Sequence, residues 1–162
     1  MKTLQGIASR GKSDRRSDTA SIRSRETINV FEAIPGEHLA ILVRAGDVSG
    51  RFCILESVAA PGTAAPLHSH AEEEVFYVLS GTPTFQLGND IHEVRAGCTV
   101  VIPAGTPHAW INRSNADVRM LAIFAPGGIE NMFSEIAGLP LDKVPPIAAS
   151  YGTTVLGPPM QP

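Results

Sequence analysis

Four residues in the middle of the chain, His68, His70, Glu74 and His108, have the types and the spacing to hold a metal ion. His68 and His70 are two positions apart, and in a strand such residues point to the same face, so both imidazoles can address one point. Glu74 follows the short bend Ala71-Glu72-Glu73 and opens the apolar run Val75 to Leu79, from which it can return a carboxylate to that point. His108 belongs to a separate segment entered through the tight Pro103-Ala104-Gly105 turn, and an antiparallel neighbour would bring it opposite the histidine pair. Three imidazoles and one carboxylate suit one divalent transition metal, Fe, Mn, Ni, Co, Zn or Cu, and lack the thiolate of a soft-metal site. Four protein ligands around an octahedral ion leave two positions for water, a chelating substrate, or substrate together with O2. Taken singly, His108 reads as a hydrogen-bonded core histidine and Glu72-Glu73-Glu74 as a solvated charge run. Their joint spacing changes that reading.

Strands must position this set. From Ile28 onward the chain consists of short β-type runs punctuated by Gly, Pro and Asn, the pattern of an all-β sandwich or barrel. The runs fall at 28–34, 38–45, 50–59, 73–80, 83–88, 90–95, 98–102, 107–112 and 117–125, and Gly88-Asn89-Asp90 reads as a hairpin turn. Within Asp117 to Phe124, Val118, Met120, Ala122 and Phe124 share one face, which we place inside the barrel. After Pro126 the pattern becomes helical, since Ile129, Met132, Phe133 and Ile136 recur at steps of three and four before Gly138-Leu139-Pro140. A second short helix is expected from Pro145-Pro146 to Gly152, then a short strand near Thr153 to Leu156 and an extended Gly157-Pro158-Pro159 end. The domain reading is a disordered basic extension over 1–27, a barrel over 28–126, and a helix with an extended tail packed on it over 127–162.

Composition narrows the function classes. The 162 residues allow one domain with a real core. A content of 43 % hydrophobic and 18 % charged residues is a globular balance, and no apolar run approaches the ~20 residues of a membrane helix. Residues 1–26 carry seven Lys or Arg against three acids, net +4, so the remainder carries six against thirteen, net −7. That acidic body is a poor nucleic-acid surface, and the basic segment lacks aromatics that would stack on bases. Cys53 and Cys98 stand 45 positions apart and form no Cys-x-x-Cys pair. Both read as buried free thiols in a reducing, cytoplasmic compartment.

The two runs Gly62-x5-His68-x-His70-x3-Glu74-x6-Gly81 and Gly97-x5-Pro103-x-Gly105-x2-His108-x3-Asn112 reproduce the pattern of the cupins at every fixed position. The four glycines and Pro103 alone match such a register by chance on the order of once in a million. The chain is therefore identified as resembling a small single-domain bacterial cupin of the cupin 2 type. Its tail, a helix and then Tyr151-Gly152 before Leu156-Gly157-Pro158-Pro159, is similar to that of proteins labelled quercetin dioxygenase-like. The resemblance implies an all-β double-stranded β-helix, a jelly-roll barrel, with a short C-terminal helical segment. It implies His68, His70, Glu74 and His108 as metal ligands, and a homodimer joined through the N-terminal strands.

Strand parity puts Phe76 with Glu74 and Trp110 with His108, so Phe76, Trp110, Met120 and Phe124 are candidate walls of a substrate pocket. Gln86 and Glu56 are weaker candidates for orienting a ligand, with a surface position as the default, and His38 and His92 read as surface histidines. The leading functional expectation is a metal-dependent oxidoreductase, a dioxygenase acting on a small enol, phenol or flavonol-like compound, with Glu74 as ligand and as acceptor of the substrate's acidic proton. The alternatives are a redox-neutral isomerase, lyase or decarboxylase, and a non-enzymatic small-molecule-binding protein. One barrel hosts many activities, so fold alone does not choose among them.

Overall fold

A computed structural model describes residues 20–162, and the basic segment 1–19 with most of the expected extension lies outside the described residues. Among the described residues, eleven strands form two antiparallel sheets. The six-stranded sheet has the order β1 (Val30–Ile34), β2 (Glu37–Val43), β3 (Cys53–Ala59), β10 (Val118–Ala125), β5 (Glu73–Ser80) and β8 (Thr99–Ile102). The five-stranded sheet has the order β11 (Thr154–Pro159), β4 (Pro66–Ser69), β9 (His108–Ile111), β6 (Thr84–Leu87) and β7 (Asp90–Glu93). This is the jelly-roll barrel, and its strands begin and end within three residues of the runs legible in the sequence. Pro66–Ser69 is an added strand, too short and too polar to register as a β run.

Alternation dictates what fills the barrel. Along β10 the burial pattern is strict, with Val118, Met120, Ala122 and Phe124 buried and the intervening residues partly or fully exposed. Facing side chains such as Phe76, Val78 and Phe85 complete one continuous core, in which Phe76 and Phe85 rings lie 5.1 Å apart. Two short helices, α1 (Glu130–Ile136) and α2 (Val144–Ser150), follow the barrel. Ile129, Met132, Ile136 and Ala148 carry their apolar stripe into the same core. Glu130 fixes α1 in place: its carboxylate accepts the backbone N–H groups of Ala45 at 2.8 Å and Gly128 at 2.6 Å. Cys53 is buried beside it, and burial with the nearby Glu130 charge pushes its thiol up to about 12, so it stays an inert thiol. Cys98, expected to be buried, is exposed, because it lies in the Gly97-Cys98 turn before β8 and not within the strand.

Gly81 shows why a motif glycine is needed. It follows β5 with φ +81°, and a Cβ there would stand 2.9 Å from Val118 Cγ2 and 3.1 Å from Val118 Cα. Strain and overlap act together, so Gly81→Ala is expected to destabilise the fold by about 2 kcal/mol. Urea unfolding would read this, and an unchanged midpoint would refute it.

Candidate metal centre

The three histidines come from two adjacent strands of one sheet. His68 closes on β4 directly opposite His108 on β9, and His70 lies just past the end of β4. Their ring centroids are 4.2 Å apart for His68 and His108, 5.0 Å for His70 and His108, and 5.6 Å for His68 and His70. One ring nitrogen from each lies within 4.8 Å of the others. Glu74 reaches them from the opposite sheet, with Oε2 3.2 Å from His70 Nε2 and 3.0 Å from His108 Nε2. The three histidines thus group together, and the Glu74 carboxylate lies against His70 and His108.

Each imidazole is oriented by a carbonyl two residues away. Nδ1–H of His68 donates to Pro66 O at 2.7 Å, that of His108 to Thr106 O at 2.8 Å, and that of His70 to Glu72 O at 3.1 Å. With Nδ1 tied to a carbonyl, each ring turns its Nε2 toward the others, and His70 Nε2 lies within hydrogen-bond reach of Glu74 Oε2. His108 Nε2 is buried with no hydrogen-bond partner. Imidazole nitrogens and a carboxylate oxygen grouped at about 3 Å favour a positive charge among them, whether a proton or a metal ion. Burial pushes His68 down to about 4, which keeps it neutral, and the neighbouring His108 adds to the shift. Burial also opposes charge on His70, but the Glu74 carboxylate outweighs it and raises the pKa. Glu74 is the mirror case, lowered by His108 and His70 against its own desolvation. A buried nitrogen without a partner and a donor set of imidazole and carboxylate fit a divalent transition metal, and the three histidines could hold one.

A cavity of about 100 Å³ opens onto this centre. His68, His70 and Glu74 line it, while His108, 1 % exposed, stands behind them. Phe76, Trp110 and Phe124 are among its walls, and Phe124 packs on the His70 ring at 5.6 Å. Met120 is fully buried but does not line the cavity. Register explains the difference. Glu74 pairs with Phe124 and Phe76 with Ala122, all cavity residues, whereas Met120 pairs with Val78 deeper along the strands, where the core is solid. Ile129, Met132, Phe133 and Ile136 close the cavity from the helical side. Gln86 donates to Gly88 O at 3.0 Å and so braces its own hairpin turn. Glu56 is buried and bound to Arg119 at 3.0 and 3.1 Å. His38 and His92 are exposed.

Sequence reasoning missed Glu37. It is the first residue of β2, 7 % exposed, and it lines the same cavity. Ser57 Oγ–H donates to its Oε1 at 2.7 Å. Burial pushes the Glu37 carboxyl up to about 7 against the Ser57 hydrogen bond, and the Glu74 charge adds to the rise. The available signal was the Pro35-Gly36 hairpin turn, whose Gly36 has φ +86° and which pairs Ile34 with Glu37.

Comparison with known proteins bears on the fold. Residues 55–124 match the family model described as cupin domain. An uncharacterized protein of Methanocaldococcus jannaschii is 34 % identical over 74 residues, 45 % of this chain and 59 % of that protein, so the match spans less than two thirds of its relative. The polyketide cyclase RemF from Streptomyces resistomycificus superposes with a TM-score of 0.59 at 23 % identity, covering 66 % of this chain and 80 % of that one. A sugar phosphate isomerase from Silicibacter pomeroyi gives 0.57 at 21 % identity, covering 65 % and 75 %. These likenesses concern the fold. No helix among the described residues is long and apolar enough to cross a membrane.

Proposed function

Because the chain carries a cupin domain over residues 55–124, we propose that it is a metal-dependent dioxygenase acting on a small enol or phenol. The observation that supports this reading is the grouping of the His68, His70 and His108 ring nitrogens with the Glu74 carboxylate at one end of a largely apolar cavity. His68, His70, His108 and Glu74 would hold the ion. A divalent iron, manganese or nickel ion there would supply a Lewis acid for a substrate oxygen, while the enol or phenol itself would supply the electrons that reduce O2. Glu74, buried with its oxygen near two histidines, would accept the acidic proton of an enol or phenol. Phe76, Trp110 and Phe124 exclude water and present flat apolar surface to a ring. A space of about 100 Å³ favours the small end of the substrate range over a flavonol.

No Lys or Arg among the described residues lines the cavity. A sugar phosphate, the substrate class named for the Silicibacter neighbour, would lack a side-chain countercharge here, so we assign this chain an uncharged substrate. Oxygen-electrode measurements on iron-, manganese- and nickel-loaded protein with a panel of small enols and phenols are expected to show substrate-dependent O2 uptake. No uptake with any member would sink the reading. The second carboxyl group, Glu37, favours one competitor, redox-neutral isomerisation by paired acid and base, which would proceed equally well without O2.

A further inference from the structure

We propose that Glu37, held by Ser57, is a second recognition point in the cavity and binds a hydroxyl group of an uncharged, otherwise apolar ligand whose other end meets the histidines. This deepens the reading above and rests on it only for the metal end. Glu37 and Ser57 project from β2 and β3, while His68 and His70 belong to the β4 segment of the other sheet, so one cavity has polar groups on two walls. Most of the lining between them is aliphatic or aromatic. Among the described residues, Ser57 is the one hydrogen-bond partner of the Glu37 side chain, and it uses Oε1, which leaves Oε2 to a ligand. Thr153, another residue of the lining, has its Oγ1 buried with no hydrogen-bond partner. Burying a carboxyl group without a cation costs stability, and an unpaired hydroxyl adds to that cost. A ligand hydroxyl supplies what Glu37 lacks, since it can donate to a carboxylate and accept from a protonated acid.

The test uses the full chain loaded with Zn(II), which binds without redox chemistry, and two probes of nearly equal size, phenol and toluene. Calorimetric titration of the unaltered protein is expected to favour phenol by about tenfold, the worth of one hydrogen bond to a charged or strongly polar group. Glu37→Leu should reduce that preference to about twofold or less, weakening phenol and strengthening toluene. This variant exchanges an uncompensated buried carboxyl for an apolar side chain of similar volume, so it is expected to fold. Glu37→Gln, which still presents an acceptor oxygen to Ser57 and ligand, should retain most of the preference. In His70→Ala, titrated metal-free beside the metal-free unaltered protein since it holds Zn(II) poorly, the preference should survive, because the hydroxyl is held at Glu37.

A phenol-to-toluene ratio unchanged by Glu37→Leu would overturn the proposal, as would failure of the unaltered protein to distinguish the probes or to bind either. A preference lost in His70→Ala and kept in Glu37→Leu would place the hydroxyl at the metal end, refuting the role of Glu37 while leaving the oxygenase reading standing. A Glu37-dependent preference with no O2 uptake on any substrate would do the reverse.

Discussion

His70→Ala is expected to weaken Zn(II) or Ni(II) binding by at least about a hundredfold, because it removes a whole ligand and not merely an outer partner. His70 is held deep in the site. Its side chain is 2 % exposed, its Nδ1–H is tied to Glu72 O, and its Nε2 is 3.2 Å from the Glu74 oxygen. Water cannot easily replace it, since Phe124 packs on the ring at 5.6 Å. A competition titration against a chromophoric chelator reads the affinity directly. Thermal unfolding supplies an independent check: metal at a hundred times its dissociation constant should stabilise the unaltered chain by about 2.7 kcal/mol, and the same concentration should barely move the variant. His38→Ala and His92→Ala change exposed histidines and should leave both readouts untouched. Wild-type affinity in His70→Ala would refute the ligand assignment outright.

The parts of the site that were legible in the sequence are those fixed by short-range geometry. Two histidines two positions apart must share a face wherever the chain is extended, and tight Pro and Gly turns bracket the segments, so His68, His70 and His108 converge without knowledge of the sheet order. Parity likewise turned Phe76, Trp110 and Phe124 inward. Parity cannot say how far along the barrel a residue sits, which is why Met120 joined the candidate walls although it packs beside Val78 in the filled end. Glu37 was illegible for a different reason. Its burial follows from the register of β2 on β3, where Leu39 stands opposite Ser57 and Glu37 opposite Ala59, a pairing across some twenty residues that no local pattern announces. Glu37 next to Gly36 and His38 looks like ordinary turn chemistry until that register is known. Cys98 was misread by the opposite error, as strand interior when it belongs to a turn.

Glu37 also leads to the second large expectation, a pH-dependent gain in stability for Glu37→Gln. Its carboxyl is raised from 4.5 to about 7 in the fold. Below pH 4.5 the group is protonated both folded and unfolded, and it contributes nothing to the pH dependence. Between 4.5 and 7 the unfolded chain ionises while the folded one holds its proton, so stability falls as pH rises. Above about 7 both forms are ionised and the full cost of the buried charge, about 3 kcal/mol, is present. Gln is isosteric with the protonated acid and can still accept from Ser57, so it should abolish this loss. The stability of Glu37→Gln minus that of the unaltered chain, both metal-free, should therefore grow by about 3 kcal/mol from pH 4.5 to pH 8.5 in urea unfolding. The groups facing Glu37 across the cavity are Ser57, Thr153, Glu74, His68 and His70, and their own titrations largely cancel in the difference because both proteins share them. An equal gap at the two pH values would mean that Glu37 ionises freely and that the cavity is wetter than its lining implies. Repeating the measurement with Zn(II) bound joins the two ends of the site. In the metal-free chain the Glu74 charge works against ionisation of Glu37. A cation held by Glu74 and the histidines replaces that repulsion with attraction, so the pH-dependent gap should shrink in the loaded protein.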